Sequence, residues 1–398
     1  MTNNKDKKVL NVPNLRFPEF TEEWERCSLG HVTDFVKERI STDKLTLANY
    51  VSTENMKSDF GGINPAISIP NNTNVIHYKK GDVLLSNIRP YLRKVWAANS
   101  DGGCSTDVFV FRAKSISPSF LHYIMANDTF INYVMSGAKG VKMPRGDKEQ
   151  MLKYVFSIPR IEEQYKISRL LHLLDDRIAT QNKIIEKYES LIQAICETLI
   201  ESEQHKVELS FNDFGKPYSG LSGKSAEDFG NGWPYITYMN VYQNQIIDIT
   251  DVGLVKINET EQQSVVRYGD ILFTLSSETP DEVGMGAVYL GDAYPLYLNS
   301  FCFGVHITDE SKIFPPFLAY YISTKSFRKA VFPLAQGSTR FNLPKNDFMK
   351  KIFHFPTVKK QSEIYSVLKA YSDKLSVEKN IVNLLCEQKS YLLRQLFI

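Results

Sequence analysis

The chain repeats itself, and a duplication constrains a fold more than any composition does, because whatever the first half builds the second must build again. Asn49–Met56 (NYVSTENM) is echoed by Pro234–Val241 (PYITYMNV) at an offset of 185, and Tyr78–Asn87 (YKKGDVLLSN) by Val266–Leu275 (VRYGDILFTL) at 188. Phe120–Met125 (FLHYIM) returns as Phe317–Ile322 (FLAYYI) at 197 and Gly137–Lys148 (GAKGVKMPRGDK) as Gly337–Phe348 (GSTRFNLPKNDF) at 200. Phe156–Ile167 (FSIPRIEEQYKI) closes the series as Phe353–Ile364 (FHFPTVKKQSEI), again at 197. Five landmarks in one order, with offsets that drift only through loop lengths, mark a tandem repeat.

Each copy has two parts. In the first, short β-like runs (DVLLSN and DVFVFRA; DILFTL and SFCFGVHI) precede one helix, SPSFLHYIMANDTFINYVMSG or PPFLAYYISTKSFRKAVFP, which predicts a compact α+β domain. The second part is a helix of about forty residues, entered just after Pro159 and Pro356, since proline suits a first helical turn. The predicted boundaries are 1–158, 159–204, 205–355 and 356–398.

Apolar residues recur on both helices at alternating spacings of four and three, from Ile167 to Leu199 and from Ile364 to Leu396, the pattern of a coiled-coil seam. Gln181 and Glu378 take the same slot near mid-helix. In a pseudo-twofold internal repeat with the two helices antiparallel, these residues are expected to meet as a polar register mark. Packing of each stripe against its own domain is the competing arrangement.

Composition excludes more than it assigns. With 398 residues the chain exceeds one ordinary core, and 43% hydrophobic with 23% charged residues is a globular balance. The polar start MTNNKDKKVL has no secretory pattern, and no run approaches the ~18 apolar residues of a membrane span. A cytoplasmic protein without a membrane partner is expected. Cys27, Cys104, Cys196, Cys302 and Cys386 lie far apart, without metal-ligand spacing, so neither a zinc site nor a disulfide framework is indicated. A net charge of +2 means that any nucleic-acid contact is concentrated in local patches.

The candidate catalytic motifs are all incomplete. GLSGKS (Gly220–Ser225) has Tyr218 where a phosphate loop needs glycine. NPAI (Asn64–Ile67) lacks the second proline and aromatic residue of an aminomethyltransferase motif, and TPDEVGMG (Thr279–Gly286) lacks the acidic-x-Lys of a nuclease core. The seven histidines do not cluster with a nucleophile.

Binding chemistry is better represented. In HYKKGDVLLSNIRPYLRKVW, Arg89, Tyr91, Arg93 and Lys94 combine charge and aromatic surface suited to phosphates and base edges, while Trp96 reads as core. Lys139, Lys142 and Arg145 in the first repeated loop, and Ser338, Thr339, Arg340 and Lys345 in the second, offer donors to phosphate oxygens, with Gly137 and Gly337 allowing close backbone approach. Ser222 and Lys224 in GLSGKS, and Ser276 after DILFTL, complete the candidate DNA contacts. Solvated turns and strand edges are the plainer reading of the same residues.

The stretches VPNLRFPEFTEEWERCSLGHV (Val12–Val32), FSIPRIEEQYKISRLLHLLDDRI (Phe156–Ile178) and SYLLRQLFI (Ser390–Ile398) resemble the specificity subunits of type I restriction-modification enzymes. SGLSGKSAEDFGNGWPYITYMNV (Ser219–Val241) is similar to the start of a target recognition domain in that family. The resemblance covers nearly the whole chain. It implies two target recognition domains, each reading one half of a split double-stranded DNA site, held apart by two antiparallel spacer helices. It also implies docking of two modification subunits that bind S-adenosylmethionine and methylate adenine, and of restriction subunits that use ATP and magnesium; no cofactor is expected on this chain. One departure is that the first helix ends in LIQAICETLIESEQHKVELSFND, which does not repeat LLRQLFI.

A forty-residue helix spans about 60 Å, and half-sites on one face of DNA recur every ~34–36 Å. The expected target is two unlike short sequences with a fixed spacer. Two other readings compete: a self-sufficient methyltransferase or nuclease, which needs a cofactor or metal motif, and a helical interaction scaffold or standalone DNA-binding protein without a methyltransferase partner.

Overall fold

The apolar runs marked as strands become the buried middle of the same antiparallel sheet in both copies. The computed structural model describes residues 10–398, which divide into one unit running to Gln181 and taking in Ile381–Ile398, and a second, Asn182–Asn380. In the first, the strand order is Thr33–Phe35, Val108–Ala113, Val83–Ser86, Val95–Ala97. In the second it is Gly215–Ser219, Cys302–Ile307, Ile271–Thr274, Gly286–Val288. Val83–Ser86 and Ile271–Thr274 are buried at every position, which is why they read as continuous apolar runs without alternation.

A second small sheet is also repeated. Tyr50–Val51 runs parallel to Gly103–Cys104, and Tyr235–Ile236 parallel to Tyr297–Leu298. The asparagine shared by the first pair of echoes closes the adjoining loop each time. The Asn55 amide donates to the carbonyls of Tyr50 and Asn64, and that of Asn240 to those of Asp248 and Asp251. Each domain is then tied off by an antiparallel pair, Glu25–Ser28 with Val155–Ile158 and Lys206–Leu209 with Phe353–Pro356.

The single helix expected in each domain is two. Pro118–Met125 gives way to Asp128–Ser136, and Pro315–Tyr321 to Lys325–Val331. The cause is capping: Asn127 accepts from the Thr129 N–H and Thr324 from the Phe327 N–H, so each side chain starts a new helix inside an apolar stripe.

The long helices are Ile161–Glu201 and Val358–Leu396. Each is fastened to its own domain by the same two devices. Gln164 accepts from the Ser117 N–H and donates to the Pro159 carbonyl; Gln361 accepts from the Phe314 N–H and donates to the Pro356 carbonyl. About three turns further along each long helix, the Tyr123 hydroxyl donates to Asp175 and that of Tyr320 to Ser372.

Each unit also shows that the helices run antiparallel. Leu396 shares a core with Ile167 and Leu171 in the first, as Ile192, Cys196 and Ile200 do with Ile364 and Leu368 in the second. Ion pairs follow the same order, Lys389 with Asp175 at 2.6 Å and Lys379 with Glu189 at 2.7 Å. Gln181 is 2% exposed in the first unit and Glu378 7% in the second, where Lys374 lies 2.6 Å from the Glu378 carboxylate. Among the described residues, no helix is long and apolar enough to cross a membrane.

Candidate nucleic-acid interface

Both repeated loops are closed by their own backbone and pinned to the end of the central strand. In the second domain Gln336 and Asn342 exchange N–H···O bonds of 3.0 and 2.8 Å, Asn342 and Phe341 pair with Ser276 and Ser277, and the Leu343 N–H donates to Leu275. In the first, Lys139 and Arg145 exchange bonds of 2.9 Å, Arg145 bridges to Ile88, and the Gly146 N–H donates to Asn87.

The close approach expected of the two glycines is internal. A Cβ on Gly337, whose φ is +136°, would lie 2.1 Å from the Arg340 carbonyl oxygen, and one on Gly137 2.1 Å from the Gln150 side chain. Gly337 is therefore required by its loop's own backbone closure, while at Gly137 the neighbour that would have to move is a side chain.

Closure leaves two unlike tips. Ser338, Thr339 and Arg340 are exposed in the second domain, a polar tip whose guanidinium has no hydrogen-bond or ion-pair partner among the described residues. In the first, Lys142 is exposed between Val141 and Met143, which stand out into solvent.

Most of the other predicted cations are already engaged. Lys139 pairs with Asp147 at 2.7 Å, Arg145 with Asp107 at 2.8 Å, and Arg93 with Asp59 and Asp128 at 3.3 and 3.1 Å. These pairs are exposed enough for a phosphate to compete for the cation. Lys94 donates to the Thr53 carbonyl and Lys345 to the Ser219 hydroxyl. Lys224 has a side chain only 4% exposed, its ammonium 2.5 Å from Glu261, so it offers no free face to a polyanion. Ser222 is exposed, its backbone held by Gln263.

Arg89 and Tyr91 are exposed beside the first loop, Arg89 in the left-handed region at φ 50° with its N–H on the Pro144 carbonyl. The fold thus gathers Arg89, Tyr91, Lys139, Lys142 and Arg145 around one loop and Ser276 with Ser338–Arg340 around the other; Ser222 and Lys224 attach to a separate segment at Glu261 and Gln263.

A cleft of about 470 Å³ beside the second loop escapes sequence reasoning. Arg340 and Ser276 line it with Tyr238, Tyr242, Phe301 and Glu278. The rings of Tyr238 and Tyr242 stack with centroids 6.0 Å apart. Their hydroxyls donate to the Ser276 carbonyl and the Glu282 carboxylate, each at 2.7 Å. The bond to Glu282, more than burial, pushes the Tyr242 pKa up to about 12, so the phenol remains a neutral donor. A concave surface carrying aromatic faces, an exposed cation and carboxylates can recognise a planar, polar-edged ligand. Its residues come from four separated segments with no common spacing. The one local signal is the Thr237 cap, whose side chain accepts from the Asn240 N–H and starts helix Tyr238–Gln243.

Comparison with known proteins also finds the chain to be twofold. The sequence profile of the type I restriction modification DNA specificity domain matches twice, over residues 21–190 and 219–386. The EcoDI type I restriction enzyme specificity subunit of Escherichia coli is 30% identical over 119 residues, 29% of this chain and 27% of that protein, so this match spans about a quarter of that relative's length. The MjaVIII specificity subunit of Methanocaldococcus jannaschii is 22% identical over 372 residues, 84% of this chain and 82% of the relative. In fold, the crystal structure of a type I restriction-modification S subunit from M. genitalium superposes with a TM-score of 0.56 at 15% identity, over 97% of this chain and 99% of that one. This chain belongs to the family of type I restriction-modification specificity subunits, with the family's DNA specificity domain present twice.

Proposed function

We propose that the chain is the non-catalytic reader of a type I restriction-modification enzyme, with recognition domains at 1–158 and 205–355 and spacer helices at 159–204 and 356–398. Each domain reads one half of an asymmetric, bipartite site in duplex DNA. Two modification subunits, carrying S-adenosylmethionine, dock on the chain and methylate adenine. Restriction subunits, carrying ATP and magnesium, join to translocate and cut. The complex works in the cytoplasm.

The observation that carries this reading is the repeated loop, pinned to the same strand end in both domains but tipped with Val141, Lys142 and Met143 in one and Ser338, Thr339 and Arg340 in the other. A shared scaffold with unlike tips is what two unlike half-sites require, since sequence is read by side chains at base edges while backbone contacts hold the register. Methylome sequencing of cells expressing the chain with its modification subunit tests it. The expected result is adenine methylation in a split, asymmetric motif with a fixed spacer; a continuous palindrome, or no motif, rejects the reading.

A further inference from the structure

On the reading that the second domain binds duplex DNA, its cleft contains one group that phosphate contacts do not explain. Glu278 and Arg340 both line the cleft and both are exposed, and neither has a hydrogen-bond or ion-pair partner among the described residues. Several of the surrounding polar groups are occupied. Glu282 accepts from Tyr242, the Ser276 carbonyl accepts from Tyr238, and the Ser277 hydroxyl donates to the Thr279 carbonyl. Among the described residues Glu278 is thus the carboxylate of the cleft with neither oxygen engaged, whereas Glu282 has one oxygen held by Tyr242.

A bare carboxylate is repelled by a phosphate backbone. Against DNA it becomes favourable where it accepts an N–H, and in the major groove the base edges offer such donors as the exocyclic amines of cytosine (N4) and adenine (N6). The stacked Tyr238 and Tyr242 rings and exposed Phe301 supply apolar surface around this acceptor, and exclusion of water makes an unmatched carboxylate costly. At the equivalent position of the first domain, one repeat back at the offset of the central strand, the chain has Pro90, which opens a short helical turn.

We propose that Glu278 is a base-reading residue that accepts from the exocyclic amine of an adenine or cytosine in the half-site of the second domain, with Arg340 making the adjacent guanidinium contact. This rests on the proposed function above. The repeat supplies an internal control, because the equivalent position of the first domain is Pro90 and its half-site should be untouched by a change at Glu278.

The test uses the chain assembled with its modification subunit, comparing the methylated motifs of wild type, Glu278→Gln and Glu278→Ala. Preference at one adenine or cytosine position in one half-site is expected to fall by roughly 5- to 100-fold, with the other half-site and the spacer unchanged. Motifs of unchanged stringency in both variants overturn the proposal. Binding of the assembled complex to duplexes lacking one amine, purine replacing adenine or 2-pyrimidinone replacing cytosine, gives a second readout independent of variant folding. Wild type is expected to weaken on one of these duplexes while the variants bind it and the parent alike, and the duplex affected identifies the base. Wild-type binding indifferent to every amine deletion also overturns it. A wild-type motif that is not bipartite instead removes the DNA-reading function beneath both proposals.

Discussion

Asp82 and Asp270 are the same residue of the repeat in two different electrostatic settings. Each is buried in its Gly-Asp turn, 2% and 1% exposed, and each accepts the N–H three residues back, from Lys79 and Arg267, at 2.8 Å. In the first domain Arg112 meets Asp82 with two bonds of 2.9 and 2.8 Å and reaches Glu38 with its remaining nitrogen. The bonds to Asp82 hold that guanidinium pKa above its ordinary range. In the second domain His306, at the matching place in its strand, lies 2.9 Å from Asp270, and Tyr218 donates its hydroxyl at 2.8 Å. Burial and then the charge of Asp270 raise the Tyr218 pKa well above the usual phenol value, so it stays a donor. The backbone turn fixes the acceptor, and the facing strand is free to change the donor as long as the buried carboxylate is met.

The largest effect should follow from breaking the stronger arrangement. Arg112→Ala leaves a buried carboxylate without its cation and should cost about 3–5 kcal/mol, read as lost amide protection in the first domain by hydrogen exchange. His306→Ala leaves Tyr218 and the Arg267 N–H in place and should cost about 1–3 kcal/mol in the second; equal losses would show that the two settings are energetically alike. Gln164→Ala and Gln361→Ala each free buried groups at a helix entry and should cost about 2 kcal/mol apiece in their own domains, and unequal costs would limit the symmetry of the repeat.

Acid should separate the domains next. His122 occurs where the second copy has Ala319, and its Nδ1 is buried without a partner among the described residues. Burial, then the charge of Lys389, pulls its pKa down to about 4 against the opposing effect of Asp175. The unfolded chain takes up that proton first, so the contribution is intact above about pH 6.5 and is lost as pH falls toward 4. About 3 kcal/mol of first-domain stability is involved, and His122→Ala should remove that part of the dependence. The smallest effect concerns the ligand: Arg340→Ala should lower the slope of log affinity for DNA against log salt by about one, while Lys224→Ala should leave the slope alone and perturb only the loop at Glu261.

The sequence echoes located the central strands and both long helices because periodicity and repetition are local and can be checked twice. The break at Asn127 and Thr324 was hidden because a capping side chain inside an apolar stripe leaves the helical period nearly intact. Counter-charges such as Asp107, 38 residues from Arg145, follow from sheet register that spacing does not encode. The same holds for Lys224, which reads as a free cation until the fold brings Glu261 to it, and for the cleft at Arg340, whose aromatic wall comes from a helix far away in sequence.

The sharing of cores by the long helices also sets an order of manufacture. Leu396 belongs to the same core as Ile167 and Phe120, so the domain translated first is completed last. A nascent chain stalled before residue 381 already has every residue of the second unit, Asn182–Asn380, while the first still lacks its final helix segment. Until then, the apolar surface around Phe120 and Leu171 waits on the ribosome for residues more than two hundred positions downstream.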